Sequence, residues 1–225
     1  RIRGTPPQSA RQDIEDAERS RPAPPGLAFL AQPGYFQEDF GVCYGWPIKG
    51  VGDIKGLRMR SQESSVHLDT YRTLGASPVP IDAPNVLTSL QTGVIDGFDN
   101  TPLYAFATSW YQAAHHLVLS EHIYQPAVIL LSKSWFDGLP ADLRQILTSV
   151  PENIVQDGRD GVRALNPILL RNLEKAGVQI TRLTDAQRRE FAEKTRSVHD
   201  TFARQTGPEA RRLLRLVQQA KQRYH

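Results

Sequence analysis

The sequence predicts an α/β protein built around a short parallel sheet. Between Gly56 and Pro102, brief apolar runs alternate with helix-forming stretches in the order strand, helix, strand, helix, strand. Glycines fall where each of those helices must stop, at Gly75 and Gly93. From Leu139 onward the apolar residues recur at helical spacing, so the alternation gives way to long helices.

Residues 57–60 are short and mostly apolar and read as the first strand, turning polar at Ser61 and Gln62. Residues 63–74 have helical composition. Residues 79–81 form the second strand, with Pro78 and Pro80 marking an edge or a strand end. Asn85 is placed to cap a helix over 86–92. Residues 94–98 form the third strand. Ligands of open α/β sheets bind outside the carboxyl ends of the strands. Arg60 ends the first strand and Asn100 follows the third, so one edge receives a guanidinium and an amide.

Upstream, residues 1–25 are polar and rich in Arg, Pro and Ser, with a short helix over 10–19 ended by Pro22, Pro24 and Pro25. Residues 27–31 read as a buried strand. Residues 32–44 carry Tyr35, Phe36, Phe40 and Tyr44 among glycines, and 46–56 are turn-rich, with Asp53 as a cap. Downstream, 103–117 reads as a helix, and 118–120 and 122–124 lead into 126–132. That run, PAVILLS, is the most apolar in the chain and reads as a central strand. Pro140 opens a helix at its first turn. Leu139, Leu143, Ile146, Leu147 and Val150 form its apolar face, and the pattern continues to Gly177, with Pro151 and Pro167 kinking or breaking it. Residues 178–183 form a strand. Thr184 and Gln187 have capping-box spacing, and Phe191, Val198 and Phe202 face inward on the next helix. Gly207 and Pro208 interrupt it before a basic helix over 209–223.

Of 225 residues, 40% are hydrophobic and 23% charged, which places the chain among ordinary globular proteins. A net charge of +3 suits an anionic ligand and does not call for nucleic acid. With the single cysteine, Cys43, no internal disulfide forms, and nothing nearby activates it as a nucleophile. Asp96 and Asp99 read as turn and capping residues, since no nucleophile accompanies them for acid–base work. His115, His116 and His122 lack the i, i+4 spacing of a zinc pair and read as packing or surface residues, with an indirect role in the cleft left to His122. Phe40 and Phe98 are the aromatics best placed to wall a pocket, ahead of Trp110 and Tyr124. Arg211, Arg212, Arg215, Lys221 and Arg223 form a solvated face opposite Leu213, Leu214 and Val217.

The ordered segments GLRMR, LGASPVPI, LQTGVIDGFDN and WYQAAHHLVLSEHIYQP together resemble the substrate-binding proteins of tripartite ATP-independent periplasmic (TRAP) transporters. The resemblance runs from about Gly26 to near the C-terminus. It implies a two-lobed type II periplasmic-binding-protein-like fold with long C-terminal helices. Set against that family the chain reads as incomplete at its N-terminus. The implied domains are 1–37 as a remnant of the first lobe, 38–125 as the second lobe, 126–165 as the return to the first, and 166–225 as bracing and C-terminal helices. The resemblance implies that Arg60 pairs with a ligand carboxylate and that Asn100 lines the cleft, with Asp99 where the family has Glu. Phe40 falls where another anion-binding Arg is usual. Ala83 falls where an aromatic is usual, which enlarges the pocket. The implied function is capture of a small organic carboxylate in the periplasm and delivery to TRAP membrane subunits, without enzymatic chemistry, cofactor or metal. Self-association is expected of the shortened chain. The rival readings are a small lyase or hydrolase on a similar scaffold, and a remnant without ligand binding.

Overall fold

The fold is seen in a computed structural model, which describes residues 27–29, 37–39, 41–44, 47–126, 130–149 and 152–224. In chain order the strands are β1 (Leu27–Phe29), β2 (Gln37–Asp39), β3 (Gly41–Tyr44), β4 (Arg58–Ser61), β5 (Ser77–Pro80), β6 (Gly97–Asn100), β7 (His116–Leu119), β8 (Tyr124–Pro126), β9 (Leu130–Ser132) and β10 (Gln179–Arg182). Six of them make one sheet in the order β10-β7-β3-β6-β4-β5. β4 is parallel to both β5 and β6, and β10 is parallel to β7. β3 is antiparallel to both of its neighbours, β6 and β7. Two reversals cancel, so β4, β5, β6, β7 and β10 all run one way and end at one edge.

The central unit forms for local reasons. After β4, helix α1 (Ser65–Leu74) stops at Gly75, which takes the left-handed φ of +87°. The amide of Gly75 bonds Arg72 O and that of Ala76 bonds Tyr71 O, closing the helix end. β5 tolerates two prolines because it ends the strand order and pairs only with β4 there. The predicted Asn85 cap is not made. Asn85 itself has helical backbone angles, and a 3-10 turn (Ala83–Asn85) runs directly into α2 (Val86–Gln91). The third strand starts at Gly97, later than predicted. Gly93 turns left-handed, and the amides of Val94 and Ile95 both return to Ser89 O, so these residues still belong to the helix end.

The helix predicted over 103–117 is much shorter, α3 (Pro102–Ala107). Ser109 at φ 60° breaks it, a 3-10 turn (Trp110–Gln112) follows, and HLVL becomes β7. Pairing with β3 and β10 buries Leu117 and Val118 completely, which a surface helix would not do. The described residues of the run 126–132 do not lie in the main sheet. Within that run, β9 pairs antiparallel with β1 in a sheet of two, and Leu130 and Ser132 are exposed. Residues 127–129 lie outside the described residues, as do the predicted helix over 10–19, Pro151 and Phe40. β2 and β8 pair with each other.

The remaining helices are α4 (Lys133–Asp137), α5 (Ala141–Thr148), α6 (Glu152–Lys175), α7 (Asp185–Thr206) and α8 (Pro208–Tyr224). Pro140 sits at the N-cap of α5, one residue before its first turn. Pro167 neither ends nor divides α6, which is continuous for 24 residues. The capping box of α7 is made: Thr184 N donates to Gln187 Oε1 at 2.7 Å, and Gln187 N returns to Thr184 Oγ1 at 3.3 Å. Phe191 and Val198 are buried on α7, but Phe202 is exposed and Ala203 takes the buried position near the helix end.

The chain divides into two compact units. One comprises residues 1–37, 125–163 and 206–225, and the other 38–124 and 164–205. The second unit holds the six-stranded sheet and two apolar clusters. Ile48, Ile54, Met59, Tyr71, Leu74, Val118 and Phe191 belong to one. Val86, Ile95, Phe98, Trp110, Leu117, Leu119 and Leu173 belong to the other. Successive strand residues alternate between the clusters, as Leu117 and Val118 do, so each cluster covers one face of the sheet.

Candidate functional site

The strand directions bring Arg60 and Ser61 of β4, Asp99 and Asn100 of β6, and Ser120 just after β7 to the common carboxyl edge. All five are buried polar residues. Strand alternation then sorts them by face. Arg60 pairs in register with Phe98, and both lie with the Trp110 cluster. Asn100 follows Phe98 by two and shares that face, while Asp99 and Ser120 share the opposite face with Val118.

Arg60 is 5% exposed. Its Nε donates to Ile81 O at 2.9 Å, and its Cζ lies 5.6 Å from the centroid of the Trp110 ring. Its Nη1 is buried and has no hydrogen-bond partner among the described residues. Nor, among those residues, does any carboxylate lie within ion-pair distance of the Arg60 guanidinium. Asn100 accepts a hydrogen bond from Thr101 N at 2.8 Å, and Thr101 Oγ1 accepts one from Tyr104 N, so the pair shapes the entry to α3. Ala83 is half-buried and packs against the same cluster. Phe98 has no exposed surface, and its ring meets Trp110 edge-on at 4.9 Å. It is a core residue under the site rather than an open wall.

The opposite face carries a cluster that sequence reasoning missed. Asp99 is fully buried, with Oδ2 3.1 Å from His67 Nε2 and 3.7 Å from His122 Nε2. Ser120 Oγ lies 2.7 Å from His122 Nδ1. Burial alone would raise the Asp99 pKa, but the imidazoles of His122 and His67 outweigh it and hold the carboxyl well below the usual range. Asp99 is therefore the buried centre of a cluster with His67 and His122 within ion-pair distance, which corrects the turn and surface readings. No local spacing in the sequence marks this cluster, because its members come from α1, β6 and the segment after β7. The chain Ser120–His122–Asp99 follows the connectivity of a nucleophile, base and orienting acid, but Ser120 is 6% exposed and set in the apolar cluster. Its described polar contact is with His122. A small apolar gap lined by Ile54, Tyr71, Val118 and Ser120 lies on this face and not on that of Arg60.

Asp96 pairs instead with Arg58 at the far end of the strands, through Nε at 3.0 Å and Nη2 at 2.5 Å. The hydrogen bond from the Arg58 side chain holds its carboxyl below the ordinary value. His115 is exposed and His116 half-buried. Among the described residues no group of His, Cys, Asp and Glu could hold a metal ion, and no helix is long and apolar enough to cross a membrane.

A mixed sheet with a buried guanidinium and amide at its carboxyl edge defines the chain as an α/β protein with a polar site at that edge. The family model described as bacterial extracellular solute-binding protein, family 7, matches residues 26–206, and the chain belongs to that family. It is 31% identical over 164 residues to the C4-dicarboxylate-binding periplasmic protein of Rhodobacter capsulatus, covering 72% of this chain and 49% of that protein. It is 27% identical over 172 residues to the 2,3-diketo-L-gulonate-binding periplasmic protein of Escherichia coli, covering 76% of this chain and 52% of that one. The chain thus spans about half the length of these curated relatives. Among solved structures, a TRAP periplasmic solute-binding protein from Xanthobacter autotrophicus with bound β-D-galacturonate superposes with a TM-score of 0.78 at 26% identity, over 95% of this chain and 70% of that one. The ectoine-binding protein of a Halomonas elongata TRAP transporter superposes with a TM-score of 0.82 at 21% identity, over 96% of this chain and 73% of that one, a likeness of fold.

Proposed function

We propose that this protein captures a small organic carboxylate at the Arg60–Asn100 edge and delivers it to the membrane subunits of a TRAP-type transporter. The observation that carries the reading is Arg60, a buried cation with a free donor and no protein carboxylate beside it among the described residues. A planar guanidinium binds a carboxylate through two parallel N–H groups, a geometry that Lys cannot reproduce. Asn100 supplies the neutral contact, and the small side chain of Ala83 supports a ligand larger than a simple diacid. The relatives named for C4-dicarboxylate, diketogulonate and galacturonate support an acidic ligand. Their naming as periplasmic solute-binding proteins supports a periplasmic location and a carrier without turnover.

A thermal-shift screen of uronates, aldonates and C4-dicarboxylates tests the proposal. A ligand present at a hundred times its Kd stabilises by about 2.7 kcal/mol, a readily measured rise in Tm. The best acid should then lose about 2–5 kcal/mol of affinity on Arg60→Ala by calorimetry. Conversion of a bound acid to product, or an Arg60→Ala protein that binds as wild type does, sinks the reading.

A further inference from the structure

We propose that Trp110 is a positioning residue for Arg60: with the Ile81 carbonyl, it sets which donor of the guanidinium is left for a ligand. The inference rests on the carboxylate-binding reading above and adds the group that orients its anchor. The guanidinium is held in two ways at once. Nε donates to Ile81 O at 2.9 Å, and the cation lies 5.6 Å from the centroid of the Trp110 ring, within cation–π range. One contact takes an edge of the planar fork and the other takes a side of it. Together they leave Nη1 as the buried donor without a protein partner among the described residues.

Trp110 is itself immobilised. It is 2% exposed, Phe98 meets it edge-on at 4.9 Å and 83°, and Tyr104 meets it at 5.3 Å and 69°. The platform is thus built from β6, α3 and the 3-10 turn, while the guanidinium comes from β4 and its hydrogen-bond acceptor from the segment after β5. Three separate parts of the chain meet at one side chain. A bidentate pair with a carboxylate needs the fork in one rotation, and an unsupported guanidinium would have to be ordered when the ligand arrives. The surrounding aromatic cluster also excludes water from the cation, where the contact with a ring is strongest.

The test uses the complete chain carrying isotope-labelled arginine, as wild type, Trp110→Tyr and Trp110→Leu, with D-glucuronate as the probe. In wild type the Arg60 Nε–Hε resonance should be displaced by the indole ring current and slow to exchange, with or without the probe. Trp110→Tyr keeps an aromatic face and should keep part of the displacement and affinity within about 3-fold, whereas Trp110→Leu should lose the displacement and about 10-fold or more in affinity. A cooperative melt separates this from unfolding. If the Leu variant does not fold, the wild-type and Tyr spectra decide, and an Arg60 resonance without ring-current displacement overturns the proposal. So does a folded Leu variant that binds as wild type does. A displaced Arg60 resonance in a protein that binds no acid supports the positioning role and counts instead against the carboxylate reading.

Discussion

At the scale of one residue, the proposed role of Arg60 in binding comes at the expense of stability. A buried donor left unsatisfied costs about 1–3 kcal/mol, and an apolar side chain of similar volume is often neutral or stabilising in place of a buried ion. Arg60→Met should therefore raise the Tm of the ligand-free protein while abolishing carboxylate binding; a lower Tm would show that the guanidinium stabilises the free protein. Asp99 differs, because its carboxyl has the imidazoles of His67 and His122 within ion-pair distance. Removing one partner of a buried pair costs about 3–5 kcal/mol, the loss expected for Asp99→Asn at neutral pH. The pH dependence follows from the lowered carboxyl pKa. Its contribution is fully present above the unfolded value of about 4 and is lost as pH falls below that toward the folded value. Denaturant melts of wild type and Asp99→Asn should then converge on acidification, and a gap unchanged between pH ~6 and pH ~3 would refute this. Arg60 was legible in the sequence because it ends a strand inside a motif. The Asp99 cluster was not, since 32 and 23 residues of chain separate its carboxylate from the two imidazoles.

At the scale of elements, what was legible depended on how local the cause was. Gly75 stops α1 and Thr184 with Gln187 starts α7, each through bonds spanning a few residues. The strand β7 was hidden, because HLVL becomes a strand only by lying between β3 and β10. Pro167 is the reverse case, a local breaker overridden by its surroundings. Val162, Leu169 and Leu173 of α6 are buried, so packing on both sides of the proline holds the helix continuous. Pro167 itself is exposed and deep within the helix, where proline costs up to about 3 kcal/mol relative to alanine. Pro167→Ala should accordingly stabilise the protein, by roughly 1–3 kcal/mol in urea unfolding. An unchanged or lowered midpoint would show that the local backbone is adapted to the ring.

At the scale of the whole molecule, several large apolar side chains stand open to water. Ile146 is 66% exposed and Trp135 53%, and Leu143 of α5 is exposed with them. These lie in the unit comprising residues 1–37, 125–163 and 206–225. Large apolar side chains open to water promote association. The 225-residue chain is expected to self-associate as its concentration rises, and Trp135→Lys combined with Ile146→Lys should reduce this in sedimentation velocity. Identical, purely monomeric behaviour of both proteins would contradict it.

The sequence by itself determined the α/β class, the central strand–helix alternation, the helix caps at Gly75 and Thr184, and the delivery of Arg60 and Asn100 to one edge. These follow from relations between residues a few positions apart, or from the fixed direction in which a strand ends. Only the tertiary structure decided that Arg60 and Asp99 face opposite sides of the sheet, that Trp110 lies against the guanidinium, and that His67 and His122 share one carboxylate. Each of those depends on register between strands and on helices packed over them, which join residues far apart in the chain. Burial then made the same local chemistry mean different things: a cation with a donor unmet among the described residues on one face, and a carboxylate beside two imidazoles on the other.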